Sequence, residues 1–264
     1  MMQLLDGKNV LVFGVANDHS IAWGIAQAMH EHGARLAFSY ASKALERRVR
    51  PLAESVGSDF VELCDVAEDD QIKAVFTKAG EKLGNIDVLV HAVAYADRED
   101  LKGDFHMTSR SGFHLAMDIS VYSFIALARA AFPLMKPGSS MLTLSYYGGQ
   151  KVVPNYNVMG VAKAALEATT RYLAADLGPR GIRVNTISAG PIRTLSAAGV
   201  SGFKRMHREF SALAPLRKSI TIEDIGGAAV WLASELASKV TGEVLFVDSG
   251  YNILGIPDIE EGQT

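Results

Sequence analysis

The sequence is poor in the features that mark several protein classes. It holds a single cysteine, Cys64, so no internal disulfide can form and nothing points to an oxidising compartment. The histidines are scattered, and the nearest pair, His30 and His32, would face different sides of a helix, so no metal site is predicted. The net charge of −3 leaves no basic excess to neutralise the phosphates of nucleic acid.

A long apolar run is also missing at the N-terminus. Asp6 and Lys8 interrupt the first apolar stretch well short of a membrane span, and no basic segment precedes it. We therefore expect a cytoplasmic protein with neither a membrane nor a nucleic acid as its partner. With 264 residues, of which 48% are hydrophobic, the chain can bury a large core, and one domain covering residues 1–264 is expected.

Short β-branched apolar runs alternate with amphipathic segments along the chain. This alternation predicts a Rossmann-like α/β fold, a doubly wound seven-stranded parallel sheet with helices on both faces. Strands are expected near residues 9–14, 34–39, 59–63, 87–92, 140–145, 183–188 and 243–248. Helices are expected at about 20–32, 42–56, 69–83, 112–132, 156–177 and 222–234, the last one capped by Thr221 with Asp224 three residues on.

Two irregular stretches, 93–111 and 190–221, are longer than ordinary connections, and such loops are often functional lids. In an open parallel sheet, ligands bind beyond the carboxyl ends of the strands, where the winding reverses. Functional residues are therefore expected directly after strands.

The turn after the first strand, "GVANDHSIAWG", lacks the G-x-G-x-x-G fingerprint of dinucleotide sites, because Gly14 and Gly24 are its only glycines. Ser20 could still cap the helix that begins at Ile21 and leave free backbone N–H groups facing an anion. An ordinary strand–helix turn is the alternative interpretation.

The next strand ends offer weaker signals. The second is followed by "SYASK", without the acid that binds the adenosine ribose of NAD, so Ser42 and Lys43 either accept a 2′-phosphate or begin a solvated helix. Asp65, after the third strand, either accepts from an adenine amino group or caps the next helix. The segment "SAGPIRT", residues 188–194, follows the sixth strand with a Gly-Pro turn that ends in a hydroxyl, and it can also be only a turn.

In the stretch "SYYGGQKVVPNYNVMGVAK", residues 145–163, Tyr146 and Tyr156 lie ten positions apart, and Lys163 follows seven positions after the second. A helix starting near Asn155 would place Tyr156 and Lys163 on one face, roughly 10 Å apart. That distance is too long for direct contact, but a bound molecule could fill it. Taken alone, Tyr156 could be an apolar-face aromatic and Lys163 a snorkelling surface side chain.

These segments, together with "CDVAEDD", "GIRVNTISAGPIRTL" and "TGEVLFVDSG", resemble the short-chain dehydrogenase/reductase superfamily. Within it, the chain closely resembles the NADH-dependent enoyl-acyl carrier protein reductases of bacterial fatty-acid synthesis over nearly its whole length. The spacing of Tyr146, Tyr156 and Lys163 is the specific feature. Common members of the superfamily carry Tyr-x-x-x-Lys, whereas this chain has Met159 at that tyrosine's position.

The resemblance implies hydride transfer from NADH to Cβ of a trans-2-enoyl thioester held on acyl carrier protein. Tyr156 is then expected to donate to the enolate oxygen, and Lys163 to bond the nicotinamide ribose. Tyr146 either lines the pocket or assists protonation. Because no acid follows the second strand, partial use of NADPH is also expected. The family is usually homotetrameric.

The resemblance further implies contacts that match the family position by position. The cofactor contacts are Gly14, Ser20 and Ile21 at the pyrophosphate, Asp65 and Val66 at the adenine, Val93 at the nicotinamide, and Ile192, Arg193, Thr194, Leu195 and Ser196 at the carboxamide and phosphates. The substrate contacts are Ala96, Tyr146 and Tyr156, beneath a lid at about 194–213.

Three positions depart from the family pattern. Ala94 stands where the family usually has glycine, Asp97 where it often has proline, and Ala41 where a glutamine commonly meets the adenosine. Diphenyl-ether inhibitors such as triclosan lie against that glycine, so the methyl of Ala94 is expected to weaken their binding. A reductase of another carbonyl or enone is the main alternative function. A non-catalytic dinucleotide sensor would be expected to lack the tyrosine or the lysine, and both are present.

Overall fold

The computed structural model describes residues 3–195 and 202–255. Its sheet contains the strands β1 Asn9–Phe13, β2 Arg35–Tyr40, β3 Val61–Leu63, β4 Val88–His91, β5 Ser140–Tyr146, β6 Arg183–Ala189 and β7 Val244–Val247. The strands lie in the order β3-β2-β1-β4-β5-β6-β7, and every neighbouring pair is parallel. The predicted doubly wound seven-stranded sheet is therefore confirmed.

Helices cover both faces of this sheet. They are α1 Ile21–Glu31, α2 Lys43–Ser55, α3 Asp69–Leu83, α4 Arg110–Met117, α5 Ser123–Ala131, α6 Asn157–Leu177, α7 Phe203–Leu213 and α8 Ile222–Ala233. Each predicted helix is present, with ends shifted by about one or two residues. The capping box of Thr221 and Asp224 forms as expected at the start of α8. The prediction of an irregular stretch over 190–221 was wrong in part, because α7 lies within it.

Side chains alternate along each strand and so fill two separate cores. In β1, Val10 and Val12 face the core beneath α1 and α8, whereas Leu11 and Phe13 face the core beneath α3, α5 and α6. On the first face, α1 and α8 pack closely at Gly24. A Cβ on Gly24 would lie only 2.5 Å from the Cβ of Ile222. Gly24, the second glycine of the segment "GVANDHSIAWG", therefore lies inside α1 and allows this helix to pack against α8.

A π-helical turn, Asp118–Tyr122, joins α4 to α5, so that residues 110–134 form one continuous apolar helix. By length and composition this helix could cross a membrane. Half of its most apolar window is buried within the molecule, and Phe124 and Leu127 belong to the core beneath α5 and α6. This helix is thus a core element of the fold.

The winding of the sheet reverses at β1, whose neighbours are β2 and β4. A crevice for ligands is expected outside the carboxyl ends of β1 and β4. At this point Gly14 has φ +109°, and a Cβ there would lie 2.2 Å from the carbonyl oxygen of Ala92. Glycine is required here because two strand ends approach each other through their backbones.

Candidate active site

The predicted functional residues gather at the carboxyl edge of the sheet. Because all strands are parallel, their ends meet at one edge, and Gly14, Asp65, Val93, Tyr146 and Ile192 each end or follow a different strand there. Ser196 lies outside the described residues. Among residues 3–195 and 202–255, no three His, Cys, Asp or Glu side chains form a group that could hold a metal ion.

Ser20 occupies the N-cap position of α1, but its side chain does not cap the helix. Its hydroxyl oxygen accepts from the backbone N–H groups of Ala16 at 3.0 Å and Asn17 at 3.1 Å. The predicted cap was wrong, because the Ser20 hydroxyl oxygen accepts from N–H groups of the preceding loop instead of from those of α1. The first N–H groups of α1, on Ile21 and Ala22, have no intrahelical partner and remain available to an anion.

Asp65 organises a turn rather than a helix end. Its Oδ1 accepts from the backbone N–H of Ala67 at 3.1 Å, and the N-cap of α3 is Glu68. The helix-cap alternative was therefore wrong. The second carboxylate oxygen of Asp65 accepts no hydrogen bond from the described residues, and Val66 beside it is buried. After β2, Ser42 is the N-cap residue of α2 without a side-chain cap bond.

Lys163 lies in the interior, so the alternative of a snorkelling surface lysine was wrong. Its side chain is buried, and Nζ donates to the carbonyl oxygen of Leu144 in β5 at 2.7 Å. Burial lowers the pKa of Lys163 to about 8, while the negative charge of Glu167 acts in the opposite direction. Because this pKa lies close to neutral pH, the protonated fraction of Lys163 depends on the charges around it.

Tyr156 immediately precedes α6, which begins at Asn157, within two residues of the predicted start. The asparagines on either side have left-handed backbones, with φ +62° at Asn155 and +33° at Asn157. Asparagine enters this region more readily than most residues other than glycine, and such conformations are enriched at active sites. The Tyr156 ring also needs the bare backbone of Gly148, where a Cβ would lie 2.4 Å from ring atom Cδ1.

The two tyrosine rings pack edge to face. Their centroids are 5.0 Å apart at an interplanar angle of 73°, and the Tyr146 hydroxyl donates to Sδ of Met206 in α7 at 3.3 Å. Burial raises the pKa of Tyr146 to about 12 and raises the pKa of Tyr156 further above its ordinary value. Both phenols are thus protonated donors at neutral pH. No hydrogen bond joins Tyr156 to Lys163, as their spacing predicted.

Sequence analysis missed His91, a fully buried residue at the end of β4. Its Nδ1 lies 2.7 Å from Oγ1 of Thr143, and its Nε2 lies 2.9 Å from Oγ of Ser123. Ser123 itself donates to the carbonyl of Ile119, so we assign the imidazole proton to Nε2. Burial lowers the pKa of His91 to about 3, so the ring is neutral. In the sequence, the feature that could have identified His91 is its position at the end of a predicted strand.

The segment after β4 is fixed by the π-helical turn. The hydroxyl of Ser120 accepts from the N–H of Tyr95 at 3.0 Å and donates to the carbonyl of the same residue at 3.1 Å. The Tyr95 hydroxyl donates to Oδ1 of Asp97 at 3.3 Å. Asp97, which stands where the family often has proline, is therefore hydrogen-bonded within this segment. Ala94 is exposed on this fixed segment, next to the crevice.

Comparison with known proteins agrees with this geometry. The model of the family described as enoyl-(acyl carrier protein) reductase matches residues 14–252. The NADH-dependent enoyl-acyl carrier protein reductase of Aquifex aeolicus is 52% identical over 261 residues, which cover 98% of this chain and 97% of the relative.

Two solved structures are also similar to this chain. The Bacillus cereus enoyl-acyl carrier protein reductase, in complex with NADP⁺ and indole naphthyridinone, has a TM-score of 0.95 at 54% identity and covers 97% of this chain and 100% of its own. The reductase of Anaplasma phagocytophilum in complex with NAD has a TM-score of 0.94 at 48% identity, with coverage of 98% and 99%. The resemblance seen in the motifs is confirmed, and the chain belongs to the enoyl-acyl carrier protein reductase family.

Proposed function

We propose that the protein reduces trans-2-enoyl thioesters carried by acyl carrier protein, with NADH as the reductant. The observation that supports this best is the pair of packed, protonated tyrosines and the buried lysine at the carboxyl end of β5, two strands from the switch point at β1. The similarity to reductases named for this substrate and for NADH gives independent support.

The crevice fits a dinucleotide. The pyrophosphate would lie on the free N–H groups at the start of α1, where the helix dipole favours negative charge. The free carboxylate oxygen of Asp65 would accept from the adenine amino group. Val93, Ile192 and Thr194 would surround the nicotinamide end, together with the neighbouring residues Arg193 and Leu195; Ser196, also expected there, lies outside the described residues. Bound NADH supplies a hydride to the substrate.

Tyr156 would serve the oxygen that becomes negative during the reaction. When hydride reaches Cβ of an enoyl thioester, negative charge develops on the thioester oxygen as an enolate, farther from the hydride than in a simple carbonyl. A phenol one helical turn before the common superfamily position suits that displaced oxygen. A donor held in this way contributes about 3 kcal/mol to the stability of the transition state.

Lys163 and Tyr146 would have supporting roles. The Lys163 ammonium would exchange its bond to the Leu144 carbonyl for the ribose hydroxyls, and its charge would favour the developing anion. Tyr146 would line the substrate pocket between the Tyr156 ring and Met206 of α7, and Ala96 would also contact the substrate. Residues 194–213 would form the lid; of these, α7 is described, and residues 196–201 lie outside the described residues.

We also propose a homotetramer in the bacterial cytoplasm, without a membrane or nucleic acid as a partner. Apolar side chains are exposed on the outer faces of the helix 110–134 and of α6. Tyr172 is 81% exposed, and Phe113, Tyr122 and Ile125 are 38–41% exposed. Exposed aromatic residues on long helices are typical of surfaces that pair with a second copy.

The reaction is tested by following the absorbance of the reduced nicotinamide with crotonyl and longer enoyl thioesters, using NADH and NADPH separately. We expect turnover of enoyl thioesters and none of simple ketones. Turnover of ketones alone would instead identify a carbonyl reductase, and a strong preference for NADPH would contradict the assignment of NADH.

A further inference from the structure

Glu167 is a buried carboxylate close to the reaction residues that has no part in the mechanism above. Its residue is only 4% exposed, and it lies one helical turn after Lys163 on α6. An ionised carboxylate is costly to bury unless its oxygens are hydrogen-bonded and its charge is compensated. Its retention in the interior therefore needs a reason.

Both carboxylate oxygens are bound by neutral donors on either side of the tyrosine segment. Oε1 accepts from the hydroxyl of Ser145 at 2.6 Å, and Oε2 accepts from the amide of Gln150 at 3.1 Å. Ser145 directly precedes Tyr146, and Gln150 follows the short turn at 147–149. Glu167 thus ties both ends of residues 146–149 to α6.

The backbone of this segment lies directly on the same turn of α6. A Cβ on Gly149 would lie 3.1 Å from Oε1 of Glu167 and 3.1 Å from the carbonyl carbon of Lys163. A displacement of Glu167 would therefore move the backbone that positions Tyr146 and the Gly148 contact with the Tyr156 ring.

The hydrogen bonds of Glu167 leave its negative charge without an ion-pair partner within 4 Å among the described residues. Lys163 is the buried cation nearest to it along α6. Among the described residues of this site, His91 from β4 is neutral, and Tyr146 and Tyr156 are protonated, so none of them supplies a charge to Lys163. The charged side chains of the helix 110–134 are exposed, and the facing residues Ser145, Thr186 and Ser188 of β5 and β6 are neutral.

We propose that Glu167 is a positioning residue that clamps the tyrosine segment onto α6 and serves as the counter-charge that keeps Lys163 protonated. In a poorly solvated interior, opposite charges stabilise each other beyond direct contact distance. The clamp and the counter-charge are separable, because a neutral side chain can keep the first and must lose the second. The coupling of the two charges is a property of the cofactor-free protein, whereas its value for catalysis rests on the proposed function.

The first test measures the titration of Lys163 directly by NMR in cofactor-free protein labelled with ¹³C at the lysine Cε. The variant Lys163→Met identifies the resonance. Glu167→Gln is expected to lower the pKa of Lys163 by about one unit, since an opposite charge has been removed. Glu167→Met, a neutral chain of similar volume that needs no hydrogen-bond partner, should give the same shift and serves if the glutamine variant does not fold.

Two controls separate charge from packing. Glu167→Asp retains the charge, and Ser145→Ala removes a clamp donor without changing any charge, so neither should lower the pKa of Lys163 by as much as the neutral variants. A Lys163 pKa that is the same in the wild type and in Glu167→Gln and Glu167→Met would overturn the counter-charge.

The second test follows kcat/KM and NADH affinity from pH 7 upwards. A residue that must be protonated loses activity as the pH rises through its pKa, so a lower pKa of Lys163 moves the alkaline limb to lower pH in Glu167→Gln. The tyrosines titrate too high to produce this limb. An equal loss at every pH would indicate a merely structural role and contradict the proposal. A wild type without turnover but with the NMR shift would refute the proposed reaction and support the charge coupling.

Discussion

The two halves of the carboxyl edge of the sheet present different kinds of chemical group to the crevice. At the ends of β1 to β3, the surface offered to a ligand is mostly backbone, as at Gly14 and at the free N–H groups that begin α1. At the ends of β4 and β5 and on α6, it consists of side chains whose pKa values are shifted by burial, including Tyr146, Tyr156 and Lys163.

This difference predicts that the first half tolerates substitutions better than the second. Every residue except proline offers a backbone N–H, so a backbone site can keep its function while its side chains vary. A phenol or an ammonium in a defined place has no such substitute, so changes in the reaction half should be more damaging.

The largest effect is expected in the reaction half, from Tyr156→Phe. Loss of this donor should lower kcat by about 10²- to 10³-fold, as for removal of one donor to a developing oxyanion. Tyr146→Phe should lower it by less than about tenfold, because that hydroxyl donates to Sδ of Met206 in α7. Steady-state kinetics with an enoyl thioester make the comparison, and equal losses would refute the assignment of roles.

In the backbone half, Gly14→Ala should be the most damaging change. The new Cβ would lie 2.2 Å from the Ala92 carbonyl oxygen at a φ of +109°, and we expect a loss of about 3 kcal/mol in the free energy of unfolding. Gly57→Ala is the matched control, since Gly57 also has a positive φ but nothing lies within 4 Å of the added Cβ. It should cost about 1 kcal/mol. Equal costs in urea unfolding would show that the strand ends can move apart.

Lys163→Ala tests whether a side chain also contributes to cofactor binding. Loss of its charged hydrogen bonds should weaken NADH binding by about 10- to 100-fold and lower turnover as well. Lys151→Ala, at an exposed position, is the control and should leave both unchanged. Fluorescence titration of NADH measures the affinity, and an unaltered value in Lys163→Ala would exclude the ribose contact.

Ala94→Gly tests the exposed segment between the two halves. Removing the methyl should tighten triclosan binding by about tenfold or more, since one intruding methyl group costs about 1 to 3 kcal/mol. Turnover should be unchanged, because an enoyl chain is thin and flexible. Inhibition is titrated with NAD⁺ present, and equally tight inhibition of both proteins would mean that the methyl does not obstruct the inhibitor.

The smallest effect is expected from Ser42→Ala combined with Lys43→Ala. Both residues are exposed at the start of α2, so they should contribute at most a few-fold to kcat/KM with NADPH and nothing with NADH. Measurements with both cofactors decide this, and an equal change with each would remove the role of these residues at a 2′-phosphate.

Local pattern was enough to predict the sheet and the helices that cover it, because β-branched runs and amphipathic periods are properties of short segments. The helix α7 was missed although Phe203, Met206 and Phe210 repeat at helical spacing, since the long stretch around it was interpreted as a loop. Two features of the site could not be predicted from local pattern. The direction of the Ser20 hydroxyl depends on the conformation of the loop that precedes it, and the burial of Lys163 depends on its contact with β5, which is distant in sequence.

The position of the crevice also has a consequence for the kinetics of folding. β1 and β4 pair across a long separation, and the hydrogen bond from the Asn9 N–H to Asp87 joins residues 78 positions apart. Closing so long a loop is entropically costly, so parallel pairing of this kind forms slowly. The cofactor crevice does not exist until that pairing is complete. We therefore expect refolding chains to regain helical circular dichroism well before they can bind a dinucleotide.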